Sequence, residues 1–209
     1  MSEETTNQNN DIYNAEYDPN SLYNDMLQEV LKGLLNAINL HHGKLDKVKR
    51  EDVLEGADIN PVTFDRYYKS ANDIMSEVYG QIKSIISLTV DNMDRFRSDA
   101  VIRILLENLS KQPLMLKILI ALDDRSQWEK HLQVLIWFVA KRWHSISDGW
   151  IVDIFEVFCF QFHHVLVYWE QYNFDEDHLE SCVDRIMAWL EADAEYVYFA
   201  TTPRPEDLV

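Results

Sequence analysis

Three side chains of metal-binding type are spaced one helical turn apart in the C-terminal half of the chain. Glu156, Cys159 and His163 are separated by three and four residues, which places them on one face of a helix. A structural metal site needs a closed and usually tetrahedral ligand set, which a single helix does not complete. We therefore predict no metal site and interpret His163 as a core or pocket histidine.

The sequence has none of the patterns that position catalytic groups. It contains no Gly-rich phosphate loop, no GxSxG nucleophile elbow, no HExxH motif and no CxxC pair. Its 36 carboxylates are numerous, but no pair has a spacing that indicates a tuned acid and base. We predict that the protein is not an enzyme and requires no cofactor.

A group of polar side chains between residues 49 and 69 suits binding to nucleic acid. Asn60 before Pro61 indicates a helix start, with an N-cap residue followed by proline at the first helical position. Donors near that start could bind phosphate oxygens or base edges. The candidate DNA-binding residues are Lys49, Arg50, Asn60, Val62, Thr63, Arg66, Tyr67 and Lys69.

The elements that position these residues are predicted to be helices. Only 5 Gly and 5 Pro occur in 209 residues, and apolar residues recur at a spacing of three to four. Residues 21–40, 50–57 and 61–68 would form three helices with a three-residue turn before the last, a helix-turn-helix pattern. Further helices are expected over residues 70–90, 98–109, 113–122, 126–143, 148–168 and 175–194. Ser70 with Asp73 three residues later predicts a capped start for the first of these, and Gly43 is the expected C′ residue after the first helix of the chain. Tyr68 is expected to pack inside the three-helix unit.

Residues 53–74, VLEGADINPVTFDRYYKSANDI, resemble the DNA-binding signature of the TetR family of transcriptional regulators. The resemblance covers about the first 70 residues by motif and the remainder only by helical pattern. The matching positions are Val53, Ala57, Ile59, Asn60, Thr63, Phe64, Tyr67, Tyr68, Ser70, Asp73 and Ile74.

This resemblance implies an all-α protein with an N-terminal three-helix helix-turn-helix unit and a helical ligand-binding and dimerisation domain. The expected divisions are a disordered acidic leader (1–20), a DNA-binding domain (21–75), the helical domain (76–196) and a tail (197–209). A homodimer would set residues 61–68 of each copy in operator DNA, under the control of a small apolar ligand. The candidate pocket residues are Trp128, Trp137, Phe155, Phe158 and His163.

The helix around residues 151–168 is hydrophobic on nearly every face, more than one core face requires. Together with residues 179–190 it is the candidate for a two-fold dimer interface. The alternative interpretation is that both helices are fully buried within one chain.

Charge and three departures from the signature favour a second hypothesis. The chain carries a formal charge of -17, and residues 41–80 alone carry -2. Asp65 stands where the family usually has a DNA-contacting Tyr, Ala71 where it has a phosphate-binding Lys, and Asp58 replaces the turn Gly. The alternative function is therefore a TetR-like protein-interaction module or co-regulator that has lost direct DNA binding.

The predicted compartment is the cytoplasm, without a membrane partner. Residues 1–20 lack an apolar segment and any Lys or Arg, unlike a signal or transit peptide. Polar residues interrupt the most apolar stretch, residues 150–169. The two cysteines, Cys159 and Cys182, are too few for a disulfide framework.

Overall fold

The computed structural model describes the backbone of residues 19–91, 98–126, 129, 130, 132 and 148–201, and the statements below concern these residues. They are mostly helical and contain no strand, so the all-α prediction is confirmed. No helix in this part of the chain is long and apolar enough to cross a membrane.

Eight α-helices of the described residues have defined bounds, with a short 3-10 helix at Leu45–Lys47 after the first. They are α1 (Pro19–Leu40), α2 (Arg50–Gly56), α3 (Pro61–Tyr67), α4 (Ala71–Asp91), α5 (Ser98–Ser110), α6 (Pro113–Ala121), α7 (Asp148–Glu170) and α8 (Leu179–Thr201). Residues 126, 129, 130 and 132 are also helical, whereas the rest of the predicted helix 126–143 lies outside the described residues.

The last helix differs from its predicted bounds at both ends. It begins at Leu179, not residue 175, because turns occupy residues 171–174 and Asn173 and Phe174 adopt left-handed φ values of 52° and 57°. It ends at Thr201, so helical structure continues past residue 196, where the tail was expected.

The end of α1 shows why a helix-stop signal was visible in the sequence. The His42 N–H donates to the Asn39 carbonyl at 3.1 Å, and the Gly43 N–H to the Ile38 carbonyl at 2.9 Å. These two bonds make a Schellman motif in which His42, with φ of 52°, takes the C′ position that we predicted for Gly43. Gly43 follows with φ of 82°, and its carbonyl accepts from the Asp123 N–H at 3.0 Å.

Helices α1 and α2 cross where two glycines remove the side chains between them. A Cβ built on Gly33 would collide with the Val53 carbonyl oxygen, and one on Gly56 would lie 3.1 Å from the Asn36 Cβ. Val53, on the inner face of α2, is fully buried at this crossing. The close approach therefore fixes the position of α2, which precedes the candidate DNA-binding helix.

A single hydrophobic core connects the N-terminal and C-terminal helices. Helix α1 packs against α2, α4 and α6, whereas α5 packs against α4, α6 and α8, and α7 packs against α6 and α8. Fully buried side chains along this path include Leu34, Ile102, Phe162 and Trp169. An ion pair between Arg103 and Glu180 also joins α5 to α8.

Candidate nucleic-acid interface

Helix α3 is anchored at both ends and by one inner side chain. The Asn60 carboxamide oxygen accepts from the Val62 N–H at 2.8 Å, which confirms the predicted N-cap, and Pro61 follows at the first helical position. Phe64 is fully buried, and Tyr68, the residue after the helix, is 4% exposed. This anchoring confirms that Tyr68 packs inside and leaves the opposite face of α3 to solvent.

That outer face carries most of the predicted DNA-binding residues. Val62 is 71% exposed and Tyr67 49%, so both side chains are accessible on this face. Across the group, Lys49, Asn60, Val62, Arg66, Tyr67 and Lys69 are exposed, whereas Arg50 and Thr63 are half-buried.

Asp65, which is partly exposed, is paired with Arg50. Its carboxylate accepts two hydrogen bonds from Arg50, from Nε at 2.7 Å and from Nη2 at 2.8 Å. The Arg50 guanidinium thereby holds the pKa of Asp65 below its usual range, and it also lies over the Phe64 ring. Arg50 and Asp65, which we expected on the DNA-binding surface, therefore form an ion pair that joins α2 to α3.

Other acidic residues of this region also have internal partners. Asp52 accepts from the Lys49 N–H at 2.9 Å and faces the His41 Nε2 at 2.8 Å, and these bonds lower its pKa. Asp73 accepts from the Ser70 N–H at 2.9 Å, which confirms the predicted cap at the start of α4. Hydrogen bonding does not remove the charge of these carboxylates, so residues 41–80 keep their formal charge of -2, with these carboxylates held in fixed positions.

One cluster that sequence reasoning missed joins α1, α4 and the residue that follows α3. The hydroxyls of Tyr23 and Tyr68 donate to opposite oxygens of the Glu77 carboxylate, each at 2.5 Å. Burial, followed by the bond to Glu77, raises the pKa of Tyr68 far above its ordinary value. Because Tyr23 is 45 residues from Tyr68, no local pattern could have identified this contact.

The structure places Ala71, a position where residues 53–74 depart from the signature they resemble, in the core. Ala71 is only 3% exposed and packs in the core at the first residue of α4. A lysine at this position would have to displace core side chains or be buried. This position therefore does not offer a site for a phosphate-binding side chain in the structure of this chain.

The predicted ligand pocket is described only in part. Trp128 and Trp137 lie outside the described residues, and Phe155 belongs to α7 but its side chain is not described. Phe158 is buried and its ring stacks on Phe162, with centroids 5.6 Å apart. His163 is 8% exposed, and its Nδ1 has no hydrogen-bond partner among the described residues.

Burial lowers the pKa of His163 to about 4, with a smaller contribution from the positive charge of Arg125. The imidazole is therefore neutral at physiological pH. Cys159, one turn earlier, is also buried, and burial raises the pKa of its thiol to about 12. In the described part of the chain, no group of three or more His, Cys, Asp and Glu side chains could hold a metal ion.

An open cleft of about 610 Å³ lies elsewhere, and sequence reasoning did not predict it. Its walls are the loop after α1, the first two turns of α4 and residues 122–124, and it includes none of the predicted pocket residues. The polar lining residues are Lys44, Asp46, Asn72, Ser76, Tyr79, Asp123 and Asp124.

No protein-family model, curated protein or solved structure matches the chain.

Proposed function

We propose that this protein is a TetR-like transcriptional regulator of the cytoplasm that binds operator DNA as a homodimer through α3. The main support for the proposal is that one face of α3 packs against the protein while the other face is exposed. Phe64 and the Arg50–Asp65 pair hold the helix, while Val62, Arg66 and Tyr67 are exposed on its outer face. A helix held in this way can enter a major groove without losing contact with its own domain.

Exposed cations near α3 support DNA binding, although the chain as a whole is acidic. Lys49, Arg66 and Lys69 are exposed at or beside α3, and Lys44 and Lys47 are exposed in the preceding loop. The Lys69 ammonium also donates to the Asp65 carbonyl. Phosphate contacts come from such local cations, and each one adds to the salt dependence of binding. Because salt weakens the attraction between these cations and phosphate, the proposed complex is one of low ionic strength.

The homodimer would use the outer face of α7 beside α8. Phe160 on this face is 54% exposed, and His164 is exposed one turn later, with the two ring centroids 4.4 Å apart. Helices α7 and α8 pack together, so the same pair from a second copy could complete a four-helix interface.

The proposed effector is a small, mainly apolar molecule bound among the C-terminal helices near Phe158 and His163. Phe158 contributes an aromatic wall, and its ring also meets Trp189 edge-on at 5.8 Å between centroids. The neutral His163, whose Nδ1 lacks a partner among the described residues, would supply a hydrogen bond to such a ligand.

A second candidate function is a TetR-like protein-interaction module. The exposed Val62 side chain is apolar, and the neighbouring α2 surface carries the exposed carboxylates Glu51 and Glu55, followed by Asp58 in the turn. An apolar contact bordered by acidic groups suits a basic protein surface better than a phosphate backbone.

Electrophoretic mobility shift at low salt, with DNA flanking the protein's own gene, tests the first proposal against the second. We expect a shift that Arg66→Glu weakens at least about tenfold, because it reverses a charge on the outer face of α3. The matched control is Lys83→Glu, which makes the same reversal of charge at an exposed position of α4 and should leave binding nearly unchanged. The absence of any shift from a folded dimer would contradict DNA binding.

A further inference from the structure

The last residue of α3, Tyr67, carries an exposed phenol at the edge of the candidate DNA surface. Its side chain is 49% exposed, whereas the next residue, Tyr68, is buried in the fold. An exposed side chain that contacts a ligand must lose rotamer freedom when it binds, and this loss weakens binding. A neighbour that already holds Tyr67 in one conformation therefore removes part of this cost.

Tyr67 has such a neighbour in another helix. The Tyr23 ring, about one turn after the start of α1, meets the Tyr67 ring edge-on, with centroids 5.7 Å apart and ring planes at 61°. Aromatic pairs prefer this arrangement because the positive edge of one ring is directed at the negative face of the other. Tyr23 lies outside residues 53–74, so the motif in the sequence could not indicate this contact.

Tyr23 is held in place independently of Tyr67. Its hydroxyl donates to one oxygen of the Glu77 carboxylate at 2.5 Å, and the Tyr68 hydroxyl donates to the other oxygen, also at 2.5 Å. Burial and the bond to Glu77 raise the pKa of Tyr23, so its hydroxyl stays protonated at neutral pH and remains a donor. Because Glu77 lies in the second turn of α4, the ring that meets Tyr67 is anchored to two helices.

We propose that Tyr23 is a positioning residue of the DNA-binding surface, whose ring holds the Tyr67 side chain in the conformation that contacts DNA. The inference rests on the proposed function, and Tyr23 acts through Tyr67. An edge-to-face pair favours the paired arrangement about threefold to tenfold. When the contact is lost, a smaller fraction of molecules has Tyr67 in the binding conformation, and the apparent affinity for DNA falls by that fraction.

The ring contact can be measured in the full-length chain without DNA. We expect nuclear Overhauser effects between the ring protons of Tyr23 and Tyr67, and three-bond couplings of Tyr67 that correspond to a single rotamer. In Tyr23→Leu, which removes the ring, these couplings should average over several rotamers. Averaged couplings in the wild-type chain would overturn the proposal, because Tyr67 would then not be held.

A double-variant cycle in DNA binding distinguishes the positioning of Tyr67 from a general role in folding. With folded chains at low salt, we expect Tyr23→Leu to weaken binding about threefold to tenfold, and to have no further effect in the presence of Tyr67→Leu. The same loss in both backgrounds would indicate a merely structural role and would overturn the proposal.

The conservative variant Tyr23→Phe tests whether the ring is the part that acts. It keeps the edge-on contact and loses only the bond to Glu77, so its DNA affinity should lie within about twofold of the wild type. A loss equal to that of Tyr23→Leu would overturn the proposal, because the ring would then not be sufficient to position Tyr67.

Tyr172→Leu is the matched control, since Tyr172 is also an exposed tyrosine but lies in the turn after α7. It should leave the DNA affinity unchanged with or without Tyr67→Leu. Absence of DNA binding by the wild-type chain would contradict the proposed function, and with it the role of Tyr23 in binding. DNA binding that Tyr23→Leu and Tyr67→Leu weaken independently would support the proposed function and overturn only this inference.

Discussion

The Arg50 guanidinium and the Asp65 carboxylate form two parallel hydrogen bonds, of 2.7 and 2.8 Å, between the first residue of α2 and the fifth residue of α3. This bidentate geometry orients α3 as well as neutralising Asp65. A carboxylate that in sequence seemed to oppose DNA thus becomes part of the support of the helix proposed to bind it.

Removal of this pair should lower thermal stability in a non-additive way. We expect Asp65→Ala and Arg50→Ala each to lower the melting temperature, and the double variant to lower it by less than the sum, because either change alone breaks the pair. Asp58→Ala, at an exposed carboxylate in the turn before α3, is the control and should have little effect. Strict additivity, measured by thermal unfolding, would show that the two side chains are not coupled.

The same pair should contribute to acid unfolding. Because the pKa of Asp65 is lowered in the folded state, its contribution is present above the unfolded pKa of about 3.9 and is lost as pH falls through the folded pKa. Between pH 5 and pH 2, unfolding curves of Asp65→Ala should therefore fall less steeply with pH than those of Asp58→Ala. Equal slopes would contradict the assignment.

Loss of the Glu77 carboxylate should destabilise the protein by about 1–3 kcal/mol, the cost of leaving a buried hydroxyl without its acceptor. The hydroxyl concerned belongs to Tyr68, which is 4% exposed and donates to Glu77. Urea unfolding of Glu77→Ala measures this cost, with Glu55→Ala, an exposed glutamate of α2, as the control. If both variants lose the same free energy of unfolding, the cluster does not stabilise the fold.

Two glycine-to-alanine substitutions should change the free energy of unfolding in opposite directions. At Gly33 the new Cβ collides with the Val53 carbonyl oxygen, a backbone atom that moves only if α2 moves, so stability should fall by more than about 1 kcal/mol. At Gly80 a Cβ meets no atom within 4 Å, and alanine in a helix interior should raise stability by about 0.5–1 kcal/mol. Denaturant unfolding of both variants checks this, and an increase for Gly33→Ala would contradict the close crossing.

Protonation of His163 should lower the free energy of unfolding of the protein below neutral pH. Its folded pKa of about 4 lies below the unfolded value of about 6.5, so the unfolded state binds the proton more tightly. The contribution of neutral His163 to the free energy of unfolding is present above pH 6.5. The free energy of unfolding should fall by about 2 kcal/mol between pH 7 and pH 5. In His163→Gln this loss should disappear, whereas His164→Gln, at an exposed neighbour, should keep it. Equal pH dependence of the two variants, measured by urea unfolding, would contradict the burial of a neutral imidazole.

Local signals were enough to predict the helices and several of their ends. Asn60 before Pro61 predicted the start of α3, and Ser70 with Asp73 predicted the start of α4, because capping bonds join residues two or three apart. Hydrophobic spacing identified the core side of helices such as α1 and α4, because side chains three and four residues apart share one helix face. The bounds of α8 were less accurate, since its start depends on left-handed residues at Asn173 and Phe174 that have no strong sequence signal.

The sequence by itself determined the all-α class, the short helix α3 and the set of residues with donors near it. Only the tertiary structure decided what those side chains do, because hydrogen bonds between different helices depend on how the helices are packed. Packing directs Arg50 to Asp65, brings Tyr23 and Tyr68 to Glu77 and buries Ala71, and it leaves Val62, Arg66 and Tyr67 exposed. A net charge counts carboxylates equally, whereas their effect on a DNA surface depends on which of them the fold has already paired.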